Sequence, residues 1–381
     1  MDSPLSLAFP TLFGLEEVLA AELPVYDVSD IATGRRIVTG RGNWDAVYRC
    51  NLHLRTALRV LINIDQFRVD REQELYDRLR ATNWRQYLKP EGSLYVQVVD
   101  PGRWFRSSQY IAQLTKDAIV DQFRDKYQTR PSVSKNDPDL RIHLQIGREG
   151  EVNLSVDSSG AGLHRRGYRR RTGSAPINEV LAAGMLQLAG YDGEQTFVDP
   201  MCGSGTLLVE AASMATRQPP GLFRNFGFER WPNFRPDDWA LIRQAALDGR
   251  RKPPRPIHGN DIDGVAVAIS KATLDRASLL SEVALSNLPF EELIPPDAEP
   301  GLLVFNPPYE LRMETGDIES FYQMMGDTLK QHWAGYTAWL ISANLAAVKR
   351  VGLRTTRKIP LMNGPVETRF CRYDLYTGSA D

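Results

Sequence analysis

The chain has 381 residues, 42% hydrophobic and 24% charged, an ordinary globular composition with length for two or three domains. No apolar run reaches membrane length, and Met1-Asp2-Ser3-Pro4 lacks the basic and apolar regions of a signal peptide, so a cytoplasmic protein is expected. A net charge of −1 excludes a whole-molecule field that would gather polyanions, and nucleic-acid binding would need a local basic patch.

From residue 5 to about 65 the pattern reads strand, helix, strand, helix. Residues 5–9 are strand-like, and Leu15, Val18, Leu19 and Leu23 recur at helical spacing until Pro24 stops them. Residues 36–40 form a second strand, and Asn43 is placed to cap a helix beginning at Trp44. Between residues 73 and 158 the same grammar returns. Helices are expected over 74–84 and 110–123 and a strand over 93–99, then two alternating strands, 140–146 and 152–156, form a hairpin across residues 147–150. Arg103, Arg106, Lys116, Arg124, Lys126, Arg130 and Lys135 make this stretch locally basic, as a solvated helix face often is.

Next comes Leu163-His164-Arg165-Arg166-Gly167-Tyr168-Arg169-Arg170-Arg171. Five arginines within residues 164–171 repel one another unless an anion lies against them. Two readings are open: Arg165, Arg166, Arg169, Arg170 and Arg171 contact RNA phosphates, or they pair with carboxylates across a domain linker.

A helix over 177–188 leads to Thr196-Phe197-Val198-Asp199-Pro200-Met201-Cys202-Gly203-Ser204-Gly205-Thr206 and an apolar helix over 207–214. A strand ending in an acid, then a glycine turn, then a helix is the first unit of a doubly wound α/β sheet, whose ligands sit at the strands' carboxyl ends. The third glycine of a dinucleotide fingerprint is replaced by Leu208, and Asp199 would repel a pyrophosphate. A carboxylate there suits a cationic ligand such as the aminoacyl end of S-adenosylmethionine, with Gly203 and Gly205 allowing close backbone approach. One unit later, in Asn260-Asp261-Ile262-Asp263, Asp261 is the expected acceptor of ribose hydroxyls and Asp263 the cap of a helix over 264–277. Asn287, at the third strand's end, either meets the adenine or simply turns the chain before the following proline.

The connection 218–256 is too long for an ordinary one and carries Phe223, Phe226, Phe228, Trp231, Phe234 and Trp239 among Arg224, Arg230 and Arg235. Such residues either bind a single strand or pack an insertion onto the body. Cys50, Cys202 and Cys371 lie far apart, and with five scattered histidines they show no metal-ligand spacing. Neither a disulfide framework nor a zinc site is expected.

The apolar run Gly301-Leu302-Leu303-Val304-Phe305 reads as a buried strand and stops at Asn306-Pro307-Pro308-Tyr309, where two prolines cannot extend a ladder. The Asn306 side-chain carbonyl and the Pro307 backbone carbonyl are two acceptors suited to an –NH2 group, and Tyr309 offers a stacking face worth roughly 1–3 kcal/mol per base. Strands over 338–342, 357–361 and 370–376 follow, the last two joined through Asn363-Gly364.

The Asp199 to Thr206 run followed by Asn306-Pro307-Pro308-Tyr309 resembles the class I S-adenosylmethionine-dependent amino-methyltransferases. With Leu163-His164-Arg165-Arg166-Gly167-Tyr168, Asn260-Asp261-Ile262-Asp263 and Leu361-Met362-Asn363-Gly364-Pro365-Val366-Glu367, it is similar to the THUMP-domain RNA guanine-N2 methyltransferases, nearest the RlmL group acting on 23S rRNA. The resemblance implies a ferredoxin-like α+β domain over 1–65, an RNA-binding THUMP domain over 66–158 and a Rossmann-like α/β catalytic domain over 159–381. It implies S-adenosyl-L-methionine contacts from Asp199, Pro200, Cys202, Gly203, Ser204, Gly205, Asp261, Asn287 and Asn306. Asn306, Pro307, Pro308 and Tyr309 would form the catalytic loop. Relatives often have aspartate where Asn287 stands, and the second methyltransferase domain fused in some of them is absent, so no second activity is expected.

The implied reaction is direct methyl transfer to the N2 amine of a guanosine that has left its stack, with structured RNA as partner and no metal or membrane. Transfer-RNA guanine and adenine-N6 in DNA or RNA are alternative substrates, and an RNA-binding assembly factor without catalysis is the alternative of a different class.

Overall fold

The computed structural model describes residues 4–99, 104–105, 107–169, 177–297, 299–308 and 318–376. The chain divides into two compact units, each containing a segment from the other's stretch of sequence. One holds Met1–Thr11, Ala20–Leu163 and Arg224–Gln244, the other Leu12–Leu19, His164–Phe223 and Ala245–Asp381.

The elements of the N-terminal stretch are β1 (Leu5–Pro10), α1 (Glu16–Glu22), β2 (Ser29–Gly34), β3 (Ile37–Gly42), α2 (Trp44–His53) and β4 (Leu61–Arg68). After them come α3 (Glu72–Ala81), β5 (Ser93–Val99), α4 (Ser108–Tyr127), β6 (Ser132–Val133), β7 (Leu140–Ile146) and β8 (Glu151–Asp157). The strands form one sheet in the order β2-β3-β1-β4-β8-β7-β5-β6, with β5 parallel to β6 and β7 and the other neighbours antiparallel. Asn43 caps α2, its Oδ1 accepting the Ala46 N–H at 2.9 Å.

Three strands, β2, β4 and the two-residue β6, have no counterpart in the sequence reading. In β2 the register shifts between Ser29 and Ala32 and Asp30 takes φ 50°, while β4 shifts between Asn63 and Asp65. Each irregularity interrupts the alternation by which a strand is recognised.

The aromatics of Arg224–Gln244 belong to this unit's core. Phe226, Phe228, Trp231 and Trp239 are buried. The Tyr48 ring lies 4.6 Å from Phe228, 6.1 Å from Phe234 and 5.9 Å from Trp239, and Tyr87 meets Trp231 edge-on at 5.1 Å. Arg224 donates to the carbonyls of Ser159, Ala161 and Gly162, and Arg230 pairs with Asp137 at 2.9 Å. The segment packs as an insertion, because its rings have one another as partners.

The remaining elements are α5 (Glu179–Leu188), β9 (Phe197–Asp199), α6 (Thr206–Ala215), α7 (Pro236–Asp248), β10 (Ile257–Asn260), α8 (Gly264–Arg276), β11 (Ala284–Ser286) and β12 (Leu302–Phe305). Then follow α9 (Ile318–His332), β13 (Thr337–Ser342), α10 (Leu345–Arg350), β14 (Arg357–Asn363) and β15 (Val366–Asp374). The sheet runs β11-β10-β9-β12-β13-β15-β14: five parallel strands closed by an antiparallel hairpin at Asn363-Gly364. Strand order reverses between β9 and β12, which opens a crevice at their carboxyl ends. One face packs Leu303, Phe305, Leu340 and Tyr373 against Tyr322, Met325, Leu329 and Trp333 of the α9 region. Close approach of α9 to the chain after α10 requires Gly326, since a Cβ there would stand 1.7 Å from the Val351 carbonyl oxygen.

Candidate functional site

The crevice is built from two loops on neighbouring parallel strands. β9 ends at Asp199 and the chain turns back into α6 through Gly203 at φ +53° and Gly205 at φ +79°, backbone that suits glycine. A Cβ on Gly205 would meet the Ser270 Oγ at 2.9 Å, whereas one on Gly203 would meet nothing within 4 Å. The turn is tied from three sides. The Gly203 N–H donates to Asp261 Oδ2 at 2.8 Å, the Ser270 hydroxyl donates to the Gly203 carbonyl at 2.8 Å, and the Cys202 N–H reaches the Asn260 carbonyl at 2.8 Å. Asp261 is therefore held in contact with the glycine turn. Ser204 and Thr206 face each other through their hydroxyls at 3.4 Å.

Asn260 connects three strand ends. Its Nδ2 donates to the carbonyls of Pro200 and Leu288 at 3.2 and 2.9 Å, and its Oδ1 accepts from Ser286 Oγ and the Leu288 N–H at 2.7 and 3.1 Å. The buried amide is fully satisfied. Nearby, the Asn287 amide donates to the carbonyls of Asp261 and Ile262 at 2.7 and 2.9 Å, holding the turn and leaving its oxygen as the acceptor.

Asp199 is 1% exposed and accepts the Met201 N–H at 3.3 Å. Burial, with the neighbouring Asp261 charge, pushes its carboxyl well above the usual range. A cation bound against it would reverse that shift. Burial pushes the Cys202 thiol up to about 12, so this cysteine is a packed side chain rather than a nucleophile.

Across the crevice, β12 delivers Asn306. Its Oδ1 is buried and has no hydrogen-bond partner among the described residues. Such an oxygen is a ready acceptor for a donor from outside the chain. Pro307 is buried and Pro308 exposed, while Tyr309 lies outside the described residues.

The arginine strip divides. Arg166 is 3% exposed, its Nε 3.1 Å from Glu210 Oε1 of α6. The reading of Arg166 as an RNA contact is corrected: its guanidinium faces inward, neutralising an acid that is itself 1% exposed. Arg169 pairs with Glu179 of α5 at 3.1 Å and also bonds the Thr206 hydroxyl at the start of α6. Arg165 is exposed, and Arg170 and Arg171 lie outside the described residues. Among the described residues no group of three or more His, Cys, Asp and Glu could hold a metal ion, and no helix is long and apolar enough to cross a membrane.

Residues 166–371, more than half of the chain, match the family model described as RMKL-like, methyltransferase domain. The chain belongs to the RMKL-like methyltransferase family. Ahead of that segment this RMKL-like methyltransferase carries an RlmL ferredoxin-like domain, matched over residues 6–61, and a THUMP domain, matched over 69–157. A Synechocystis protein named "Putative RNA methyltransferase slr0064" is 37% identical over 366 residues, covering 95% of either chain. The Cellvibrio japonicus ribosomal RNA large subunit methyltransferase K/L is 37% identical over 380 residues, covering 96% of this chain and 50% of that one. The chain thus spans about half the length of that relative. A crystal structure of SMU.472, described as "a putative methyltransferase complexed with SAH", covers the whole of both chains at TM-score 0.87 and 26% identity. The protein is a class I methyltransferase with S-adenosylmethionine as cofactor. The donor set fits that group: a buried acid, a glycine turn with open space over Gly203, and a buried acceptor on the neighbouring strand's end with no partner among the described residues.

Sequence reasoning did not single out Asn260, Ser270 or Glu210, which hold the loops in place. An asparagine at the end of a short strand is the one signal the sequence offers for the first, and the other two are helix residues whose partners are distant in sequence.

Proposed function

We propose that the chain methylates the exocyclic N2 amine of a guanosine in RNA, with 23S ribosomal RNA as the substrate. The observation that carries this reading is the buried Asn306 Oδ1, an acceptor with no described partner, at the end of a strand neighbouring the one that bears Asp199. The THUMP domain and the names of the relatives support RNA over other amine-bearing substrates.

S-adenosylmethionine supplies a methyl group made electrophilic by the attached sulfonium. Asp199 receives the cofactor's ammonium, Asp261 accepts from its ribose hydroxyls, and the turn from Pro200 through Cys202, Ser204 and Gly205 brings backbone against it. The Asn287 oxygen is left to accept from the adenine amine. Asn306 Oδ1 and the Pro307 carbonyl accept the two N–H bonds of the target amine, whose lone pair is otherwise delocalised into the ring. That orients the lone pair in line with the methyl and stabilises the positive charge that develops on nitrogen. No strong base is required before attack, because the nitrogen becomes acidic once alkylated. Tyr309 stacks on the base after it leaves its helix. We assign residues 1–65 and 66–158 to RNA recognition and 159–381 to catalysis, apart from the segments exchanged between the two units. Arg165, Arg170 and Arg171 supply phosphate contacts, and a ribosomal substrate sets the enzyme in the cytoplasm.

The test is methyl transfer from labelled S-adenosylmethionine to ribosomal RNA, transfer RNA and DNA offered separately, followed by nucleoside digestion and mass spectrometry. Label in N2-methylguanosine from 23S rRNA is expected. N2-methylguanosine from tRNA alone would move the substrate, N6-methyladenosine would overturn the guanine assignment, and no transfer with no cofactor binding would favour a non-catalytic RNA-binding factor.

A further inference from the structure

Behind the Asn306-Pro307-Pro308 loop, Tyr322 of α9 is fully buried, with its Oη 3.4 Å from the Pro308 carbonyl oxygen and 2.8 Å from Ser342 Oγ. Ser342 is also fully buried, at the end of β13, and its Oγ accepts the Asn344 N–H at 3.0 Å. The direction of these bonds follows from counting protons. A carbonyl only accepts, so the single phenol proton goes to Pro308. The Ser342 hydroxyl then donates to Tyr322 Oη, while its own oxygen takes the Asn344 N–H. The bonds run one way, from the chain after β13 to the carbonyl of Pro308.

The loop needs such an anchor because of its composition. Both proline rings fix φ and neither residue has an N–H with which to tie the loop to the sheet. The soft torsions left are the two ψ angles, and a bond to the Pro308 carbonyl fixes the second of them. It does so one residue beyond the carbonyl of Pro307. At 3.4 Å the last link is long.

We infer that Tyr322 and Ser342 are positioning residues for methyl transfer: their hydroxyls form a relay that anchors the Pro308 carbonyl and so sets the Asn306 and Pro307 acceptors toward the target amine. The inference rests on the assignment of those two acceptors made above.

The test compares the full chain with Tyr322→Phe, Ser342→Ala and the double variant, reading kcat and KM on the RNA that the wild-type chain methylates. Cofactor Kd by calorimetry and thermal midpoint are read alongside. Each single variant is expected to lower kcat about tenfold, the effect of one ordinary hydrogen bond. KM, cofactor Kd and the thermal midpoint should stay near wild type. The double variant should be no slower than the slower single one, because both changes break the same relay. Wild-type kcat in Tyr322→Phe, losses that multiply in the double variant, or losses confined to KM and thermal midpoint would each overturn the relay. A wild-type chain inactive on every RNA would instead overturn the assignment of the loop, and the relay with it. Activity in the wild type with indifference in the variants removes the relay alone.

Discussion

A buried carbonyl oxygen left without a donor would cost a folded chain about 1–3 kcal/mol, and the Asn306 Oδ1 has no donor among the described residues. The cost is understandable if the donor arrives with the substrate. Asn306→Ala should therefore keep cofactor affinity within about twofold while turnover falls by about 10²–10³, as for other preorganised hydrogen-bonding groups. Calorimetry and single-turnover methylation measure the two separately. Equal losses in both would remove the amine-acceptor role.

Asp199 presents the opposite problem, a carboxyl raised by burial in the folded chain. At low pH both folded and unfolded states carry the proton. As pH climbs through the ordinary carboxylate range the unfolded chain ionises first, so stability is lost until the folded group ionises too. Asp199→Asn should raise the thermal midpoint of the ligand-free chain by about 2–4 °C at pH 8, with the gain vanishing near pH 4. The same change should weaken cofactor binding at least about tenfold through loss of the carboxylate's attraction. An unchanged midpoint together with unchanged affinity would argue that Asp199 faces no cation. The strand-acid-glycine-helix run made Asp199, Gly203 and Gly205 legible in sequence, because turn chemistry is local. Asn260 and Tyr322 were not legible as site residues, since what they bond to lies in other strands and loops.

Among the elements, α6 follows the glycine turn at one end and buries Glu210. Arg166 pairs with that acid, so removing either residue takes a buried ion-pair partner from the other. Arg166→Leu is expected to destabilise the unit by about 3–5 kcal/mol in denaturant titration, and Arg166→Leu with Glu210→Leu to recover most of it. If Arg166→Leu reduced RNA binding without a loss of stability, the arginine would have to reach outward. Charge spacing alone shows that an arginine cluster needs anions, but not whether they come from RNA or from helices such as α5 and α6. β12 was readable because a parallel, doubly covered strand is a continuous apolar run, here Leu302–Phe305. β2 and β4 were not, because their irregularities break the period of two. The aromatics of Arg224–Gln244 pointed equally to a nucleic-acid platform and to a core, a choice that depends on what faces them.

At the scale of the molecule, a net charge of −1 leaves RNA affinity to local cations. Arg165 is exposed and stands in the cationic strip. Arg165→Gln should weaken binding to all RNA sequences alike and make the slope of log affinity against log salt shallower by about 0.7–0.9. Filter binding across a salt series measures this, and an unchanged slope would remove Arg165 from the phosphate contacts.

The exchange of segments between the two units has a consequence for how the protein is made. The first unit includes Arg224–Gln244, so on the ribosome its core of Tyr48, Phe228 and Trp239 cannot close until residue 244 has emerged. By then Leu12–Leu19 and His164–Phe223 of the second unit have emerged and must wait for the rest of it. The second unit holds Leu12–Leu19 from the beginning of the chain, where Leu15 fills the space left by the missing side chain of Gly184. A cut near residue 163 gives two fragments, each lacking a piece of its own interior. Recombination that transplants the second unit onto another first unit must therefore leave the aromatic insert behind and carry Leu12–Leu19 along.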